Sequence, residues 1–396
     1  MEDGPERLGL EVTGAKSGGS HLSRLILRDS PSLLDVDLAA IAANTRQIRA
    51  LVGDQCELYA ALKCDAYGLG LIPVATTILA SGGDAISVSR LGDGVALRMA
   101  GVRVPLLVYP SQPVDADVAH AVDEHQLMPA VADLGSAQQL SEHVHHETPV
   151  LLKVDVGLRR LGVRPEDGLE IARRIQALPR VRLDGVVTHL HVPPDPVPPG
   201  YLEWQFRRLT RLFDQLDEAG LPARVRLAAS SAVLRLTSTM NLTAVDPGRL
   251  FLGLVGTGPQ TASLNLHSAV RSLRSRLISV KDVPPDEFSD LAQIPVGTGI
   301  RLGVFPLGTA DGLRQACGRE VLIRGRRVPV FDAISLEHCR VNLTECPDAA
   351  VGDEVVLIGR QAGDEITLEE IAEHHRIPPV AVCTAIAPSI GRRYAQ

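Results

Sequence analysis

Glu57-Leu58-Tyr59-Ala60-Ala61-Leu62-Lys63-Cys64-Asp65-Ala66-Tyr67-Gly68-Leu69-Gly70 is the stretch that decides the fold. An apolar run short enough for a buried strand ends at Lys63, and no GxGxxG fingerprint follows it. An open doubly wound sheet would carry its phosphate-binding turn there, so that fold loses its main signature. A lysine at the end of a buried strand, beside a turn that needs glycine, can instead hold an aldehyde cofactor as a Schiff base. Taken alone, Lys63 reads equally well as a snorkelling surface lysine.

Working outward, short apolar runs recur at 57–62, 85–89, 105–109, 128–131, 150–154, 183–189, 225–229 and 242–245. Between them lie stretches of helical period such as 171–178 and 203–220, with 35–51 ahead of the first run. Parallel strands joined by helices produce this alternation, and eight of them close a barrel. After about residue 260 the long helical stretches stop, and β-type segments take over at 327–335, 339–343 and 354–358. Thr367, with Glu370 three residues on and Ile366 and Ile371 placed as a staple, opens one short helix that Pro378-Pro379 should stop. The expected fold is α/β: a (β/α)8 TIM-type barrel over 31–260, followed by a mostly-β domain over 261–396. Residues 1–30, with Gly14–Ser20 at their centre, read as a flexible tail.

Composition narrows the function. At 396 residues and 45% hydrophobic, the chain can bury a core without metals or disulfides. A net charge of −7 and 3% aromatic residues leave neither a basic footprint nor stacking platforms for nucleic acid. The six cysteines are irregularly spaced, as free thiols in a reducing, cytoplasmic compartment would be. No signal peptide or membrane span is expected. His143, His145, His146, His374 and His375 read as solvated, since no zinc spacing links them.

Barrel chemistry sits at the C-terminal ends of the strands. Those ends carry Lys63 and Tyr67, Lys153 and Asp155 with Arg160 beyond, His189 and His191, Ser230 and Ser231, and Asp246-Pro247-Gly248. The last of these lies where such barrels often bind a phosphate. Each has a plain structural reading, as an ion pair, a satisfied core histidine or a helix cap. Their common placement on one face argues for a site.

These residues resemble the alanine racemase family. Leu62–Gly70 is similar to its pyridoxal-phosphate (PLP) lysine motif, and Lys153–Gly162 to its VDTGMxRLG motif. Gly185–His189 resembles GxxTH, Gly308-Thr309-Ala310-Asp311-Gly312 resembles GYADG, and Pro347–Gly359 resembles CPDxxVGDEVxLIG. The resemblance implies a PLP barrel and a homodimer whose subunits complete each other's active sites on a small amino-acid substrate. By position, Lys63 would carry the cofactor and act as base on one face. Tyr67, Ser230 and the Gly248 backbone would hold its phosphate, and His189 would stack on its ring. Arg160 would lie near its phenolic oxygen, with Lys153, often carbamylated in relatives, behind it. Leu336 and Glu337 fall at a Met-Asp pair that contacts the substrate carboxylate from the neighbouring subunit, and Thr309 and Asp311 would belong to the catalytic loop.

Two departures from the family's pattern bear directly on the chemistry. Thr309 is matched to the tyrosine that acts as second base, and a threonine hydroxyl is too short and too weakly acidic for that work. Asp246 stands where relatives place an arginine against the pyridine nitrogen; an aspartate would keep that nitrogen protonated and the ring a stronger electron sink. Local misalignment, with Arg249 turned back to the ring, is the other reading. Arg226 and Ala229 stand at the His and Asn of the family's HxANS segment, and the stretch around Ala387 offers no match for the tyrosine that usually touches the phosphate. Three functions follow: a racemase or epimerase with an altered second base, an aldolase or β-eliminating lyase acting on a β-hydroxy amino acid, or a PLP-binding protein without turnover.

Overall fold

The computed structural model describes residues 31–193, 198–221, 223–255, 264–286, 297–331 and 334–395; the tail expected over 1–30 lies outside them. Strand β1 (Leu33–Asp37) comes before the barrel and does not join it. The barrel is β2 (Glu57–Ala61), β3 (Ala85–Val88), β4 (Leu106–Val108), β5 (Met128–Val131), β6 (Thr148–Lys153), β7 (Val181–Val187), β8 (Val225–Ala229) and β9 (Ala244–Val245). Neighbours are parallel, and β2 closes on β9 through Glu57–Ala244 and Leu58–Val245. Each expected run overlaps a barrel strand, although β6 and β7 begin two residues earlier than expected.

The strands are short because both faces are buried. Tyr59, Leu107, Met128, Leu151, Val187 and Leu227 pack together as one internal cluster, while the alternate residues meet the surrounding helices. The helix Tyr201–Glu218 shows how those helices are held: Leu202, Gln205, Leu209, Leu212, Phe213 and Leu216 form its buried stripe. The helix Leu38–Val52 starts at an N-cap, Asp37, whose carboxylate accepts the Ala40 N–H at 2.8 Å.

The second unit is built from β10 (Val270–Arg276), β11 (Ser279–Val283), β12 (Ile300–Phe305), β13 (Glu320–Ile323), β14 (Arg326–Pro329), β15 (Cys339–Asn342), β16 (Glu354–Gln361), β17 (Asp364–Ile366) and β18 (Gly391–Ala395). Its larger sheet runs β14-β13-β16-β10-β1-β18, with β17 on β16, and β11-β12-β15 form a smaller one. This corrects the expected division. Residues 33–37, assigned to the barrel unit, lie between β10 and β18 of the C-terminal sheet. The physical tie is Asp35, whose buried carboxylate accepts from Ser272 Oγ at 2.5 Å and from Arg393 Nε at 2.6 Å. Burial alone would raise its pKa, but these donors outweigh it and hold the carboxyl below its ordinary range.

The short helix Leu368–His375 is capped by Thr367, which accepts the Glu370 N–H at 3.0 Å. The Glu370 carboxylate turns to Arg327. Pro378-Pro379 does not only stop this helix: with Pro379 at the first position, a second one follows over Pro379–Ala385.

Candidate active site

Lys63 follows β2 directly, and the chain after it makes an unusual turn. Cys64, Asp65, Ala66 and Tyr67 all have left-handed φ, between 51° and 59°. For residues with a Cβ this costs about 1–2 kcal/mol apiece, so other contacts must hold the turn. Asp65 supplies two, accepting the Leu71 N–H at its side chain (2.7 Å) and the Gly70 N–H at its backbone (3.0 Å). The C-terminal sheet supplies another, Arg392 Nε donating to Gly68 O at 3.0 Å. Gly70, at φ +96°, leaves room for the Tyr394 hydroxyl where a Cβ would collide.

Lys63 lies between two adjoining cavities. One, of about 280 Å³, is lined by Ser89, Tyr109, Lys153, Arg160 and Thr188. The other, of about 230 Å³, is lined by Tyr67, His191, Ser230, Ser231, Gly248 and Arg249. Lys63, His189 and Asp246 line both. Residues from seven strand ends thus converge, the five expected from the sequence together with Ser89 after β3 and Tyr109 after β4.

The loop after β6 is organised by Asp155, which accepts the N–H groups of Gly157, Arg159 and Arg160 at 2.9, 3.0 and 2.6 Å. That holds Arg160 at the cavity mouth. Lys153 is buried at the strand end. Burial lowers its pKa to about 8, with Arg160 and Lys63 adding to the effect and Asp246 opposing it. His189 is lowered further, to about 3, by burial and then by the nearby charges of Lys153, Lys63 and Arg160. Its imidazole is therefore neutral throughout the working range.

Asp246 is the most consequential group. Its carboxyl is buried at 6% exposure, and burial raises its pKa while Lys63, Tyr109 and Lys153 hold it back. Oδ2 accepts from the Tyr109 hydroxyl. Oδ1 has no hydrogen-bond partner among the described residues. Arg249 lines only the cavity on the Tyr67 and Ser230 side, so it does not take the place of Asp246 between the two.

PLP fits this arrangement on three observations. The orphaned Oδ1 is an acceptor suited to a ring N–H. The site has a lysine at a strand end. Gly248 lines the second cavity, and its lack of a Cβ lets the Tyr67 hydroxyl and Ala61 O come close to its backbone, which brings a phenol to that cavity's wall. Burial, reinforced by Asp246, pushes that Tyr67 phenol above its ordinary range and keeps it a donor. The Gly248 N–H, expected from the sequence to face a phosphate, donates instead to Ser231 Oγ at 2.9 Å, and Ser230 and Ser231 both line the cavity beside it.

Thr309, Asp311, Leu336 and Glu337 are not in these cavities. Thr309–Asp311 form a 3-10 turn on the C-terminal unit, where the Asp311 carboxylate accepts the Gly308 N–H at 2.9 Å. The Thr309 N–H is bonded to Ser335 O. Glu337 and Asp311 line a separate surface cavity with Ser32 and His338, and Leu336 is 72% exposed. Of the histidines read as solvated, His146 bonds Asp123 and His375 bonds Cys317 O. No metal-holding group of residues occurs among the described residues. Tyr109, Ser89 and Thr188 were not singled out from the sequence. Tyr109 had one usable signal: it is a tyrosine closing an apolar run in a chain with five tyrosines.

Comparisons with known proteins agree with this geometry. The family model for the alanine racemase N-terminal domain matches residues 36–255, and that for the C-terminal domain matches 270–394. The alanine racemase of Symbiobacterium thermophilum is 33% identical over 348 residues, covering 86% of this chain and 91% of its own length. That of Desulfosudis oleivorans is 32% identical over 383 residues, covering 93% and 97%. The crystal structure of alanine racemase from E. faecalis superposes with a TM-score of 0.83 at 27% identity, covering 92% of this chain and 98% of that one. A barrel with a lysine at its first strand end and a second β unit, matched by both family models along nearly its full described length, places this chain in the alanine racemase family of PLP-dependent racemases.

Proposed function

We propose that this protein removes and returns the α-proton of a small amino acid as a racemase or epimerase, using a ring-nitrogen partner and a second proton carrier unlike those of an ordinary alanine racemase. The observation that carries the reading is the buried Asp246 carboxylate, its Oδ1 without a hydrogen-bond partner among the described residues, in the cavity that Lys63 also lines. When bound, PLP supplies an electron sink that acidifies the α-carbon. Asp246 would hold the ring nitrogen, Tyr67, Ser230 and Ser231 the phosphate, and Arg160 with Lys153 would face the opposite edge. Lys63 would both carry the cofactor and move the proton on one face.

The other face is less well served from within the barrel. A neutral His189 with a pKa near 3 is a poor base at neutral pH, and Thr309 lies outside the cavity. A homodimer that brings the exposed Leu336 and Glu337 face against a partner's barrel would complete the site. Free cysteines and the lack of any described helix long and apolar enough to cross a membrane are compatible with a cytoplasmic enzyme.

The carboxylate at the ring nitrogen also supports the second reading, aldol cleavage or elimination on a β-hydroxy amino acid, because a stronger sink stabilises the carbanion those reactions need. Proton NMR of the PLP-loaded enzyme in deuterated water, with D and L forms of alanine, serine and threonine offered separately, decides. Loss of the α-proton from either enantiomer, with the other appearing, is the expected result. Exchange in one enantiomer with release of an aldehyde and a smaller amino acid would replace racemisation by aldol chemistry. No exchange with any substrate would leave a PLP-binding protein.

A further inference from the structure

We propose that Tyr109 is a positioning residue that pins Oδ2 of Asp246 and so presents Oδ1, in ionised form, to the ring nitrogen of the bound cofactor. This rests on the reading of Asp246 given above. The Tyr109 backbone is part of the barrel, its N–H bonded to Val88 O at 2.9 Å. Its ring is held among cations, with Lys63 Nζ 4.9 Å and Lys153 Nζ 5.9 Å from the centroid. The hydroxyl of a ring fixed in this way donates to one oxygen of the buried carboxylate. The other oxygen is left buried and unpartnered among the described residues, which is unfavourable until a donor arrives.

The charged and titratable groups that share these cavities with Asp246 are Lys63 after β2, Lys153 and Arg160 at and beyond the end of β6, His189 and His191 after β7, Arg249, and the Tyr67 and Tyr109 phenols. Both lysines attract the carboxylate, and among the described residues Tyr109 is the side chain hydrogen-bonded to it. Without that hydroxyl the carboxyl would take up a proton more readily and turn. It would then compete for the proton on the ring nitrogen instead of stabilising it.

The test is nitrogen-15 NMR of the holoenzyme loaded with PLP labelled at the ring nitrogen, titrated over pH. The wild-type ring nitrogen is expected to stay protonated through neutrality. In Y109F the midpoint of its deprotonation should fall by about one pH unit or more, the size set by one hydrogen bond to a charged group, with PLP stoichiometry and circular dichroism unchanged. D246A should lose ring protonation at neutral pH. If D246A titrates as wild type, the reading of Asp246 fails and this inference with it. If D246A shifts and Y109F does not, the role of Tyr109 is overturned while Asp246 stands. Should Y109F not fold, downfield proton NMR of the wild-type holoenzyme gives a second reading. Two strongly hydrogen-bonded protons, phenol and ring N–H, are expected and both should vanish in D246A; a ring proton alone overturns the pairing.

Discussion

His189 shows how a single side chain in this barrel reports its surroundings. Its folded pKa of about 3 lies below the ordinary 6.5, so between those values the unfolded chain binds a proton that the folded one refuses. Stability must then fall as pH drops below 6.5. In the cofactor-free protein this component amounts to about 2 kcal/mol by pH 5. Urea midpoints of wild type and His189→Asn should therefore converge or cross on going from pH 7 to pH 5, and parallel curves would contradict a buried, cation-flanked imidazole. Lys63, His189 and Asp246 were legible in the sequence because each is a polar residue where an apolar run stops. Tyr109 was not, because a tyrosine at that position is indistinguishable from the apolar run it ends until its hydroxyl is seen to meet a carboxylate 137 residues away.

The eight barrel strands were legible for a related reason. A strand buried on both faces has no polar alternation, so it stands out against its amphipathic helices wherever it occurs. β1 alternates apolar and acidic residues over Leu34-Asp35-Val36-Asp37, and nothing in Leu33–Asp37 says which sheet it will join. That was decided by Ser272 and Arg393, far away in the chain. The turn 64–67 was equally hidden, since left-handed φ at four residues with a Cβ follows from the contacts that hold it and not from propensity. Gly70→Ala tests that hold. A Cβ there meets the Tyr394 hydroxyl at a φ that alanine avoids, so the variant should lose about 1–3 kcal/mol of stability. It should also release PLP faster on dialysis, followed by the visible cofactor band. Full retention of both would mean that the turn is not clamped by β18.

At the level of the assembled enzyme, the residues that resemblance ties to substrate sit apart from Lys63. Leu336 is a large apolar side chain in solvent, next to Glu337. If that face meets a second subunit, light scattering should find a dimer, and Leu336→Glu should shift it toward monomer and lower activity by at least tenfold with the monomer's PLP content intact. A wild-type monomer with full activity would remove the shared site. The Asp35 cluster makes a parallel claim about the join between β1, β10 and β18. Asp35→Asn should lower stability by about 1–3 kcal/mol at pH 7. Because the wild-type carboxyl is held below its ordinary pKa of 3.8, its stabilisation is present above that value and fades as acid protonates it. The difference between the two proteins should therefore shrink toward pH 3.

The bond from Arg392 to the Gly68 carbonyl spans 324 residues, and that distance has a consequence during synthesis. A ribosome finishes the barrel strands long before it delivers Arg392 and Tyr394. Until then the Lys63 turn lacks its outer clamp and β1 lacks one of its two neighbours. A nascent or prematurely terminated chain would thus present a nearly complete barrel that grips PLP poorly, and loading of the cofactor would act as a check that translation has run through β18.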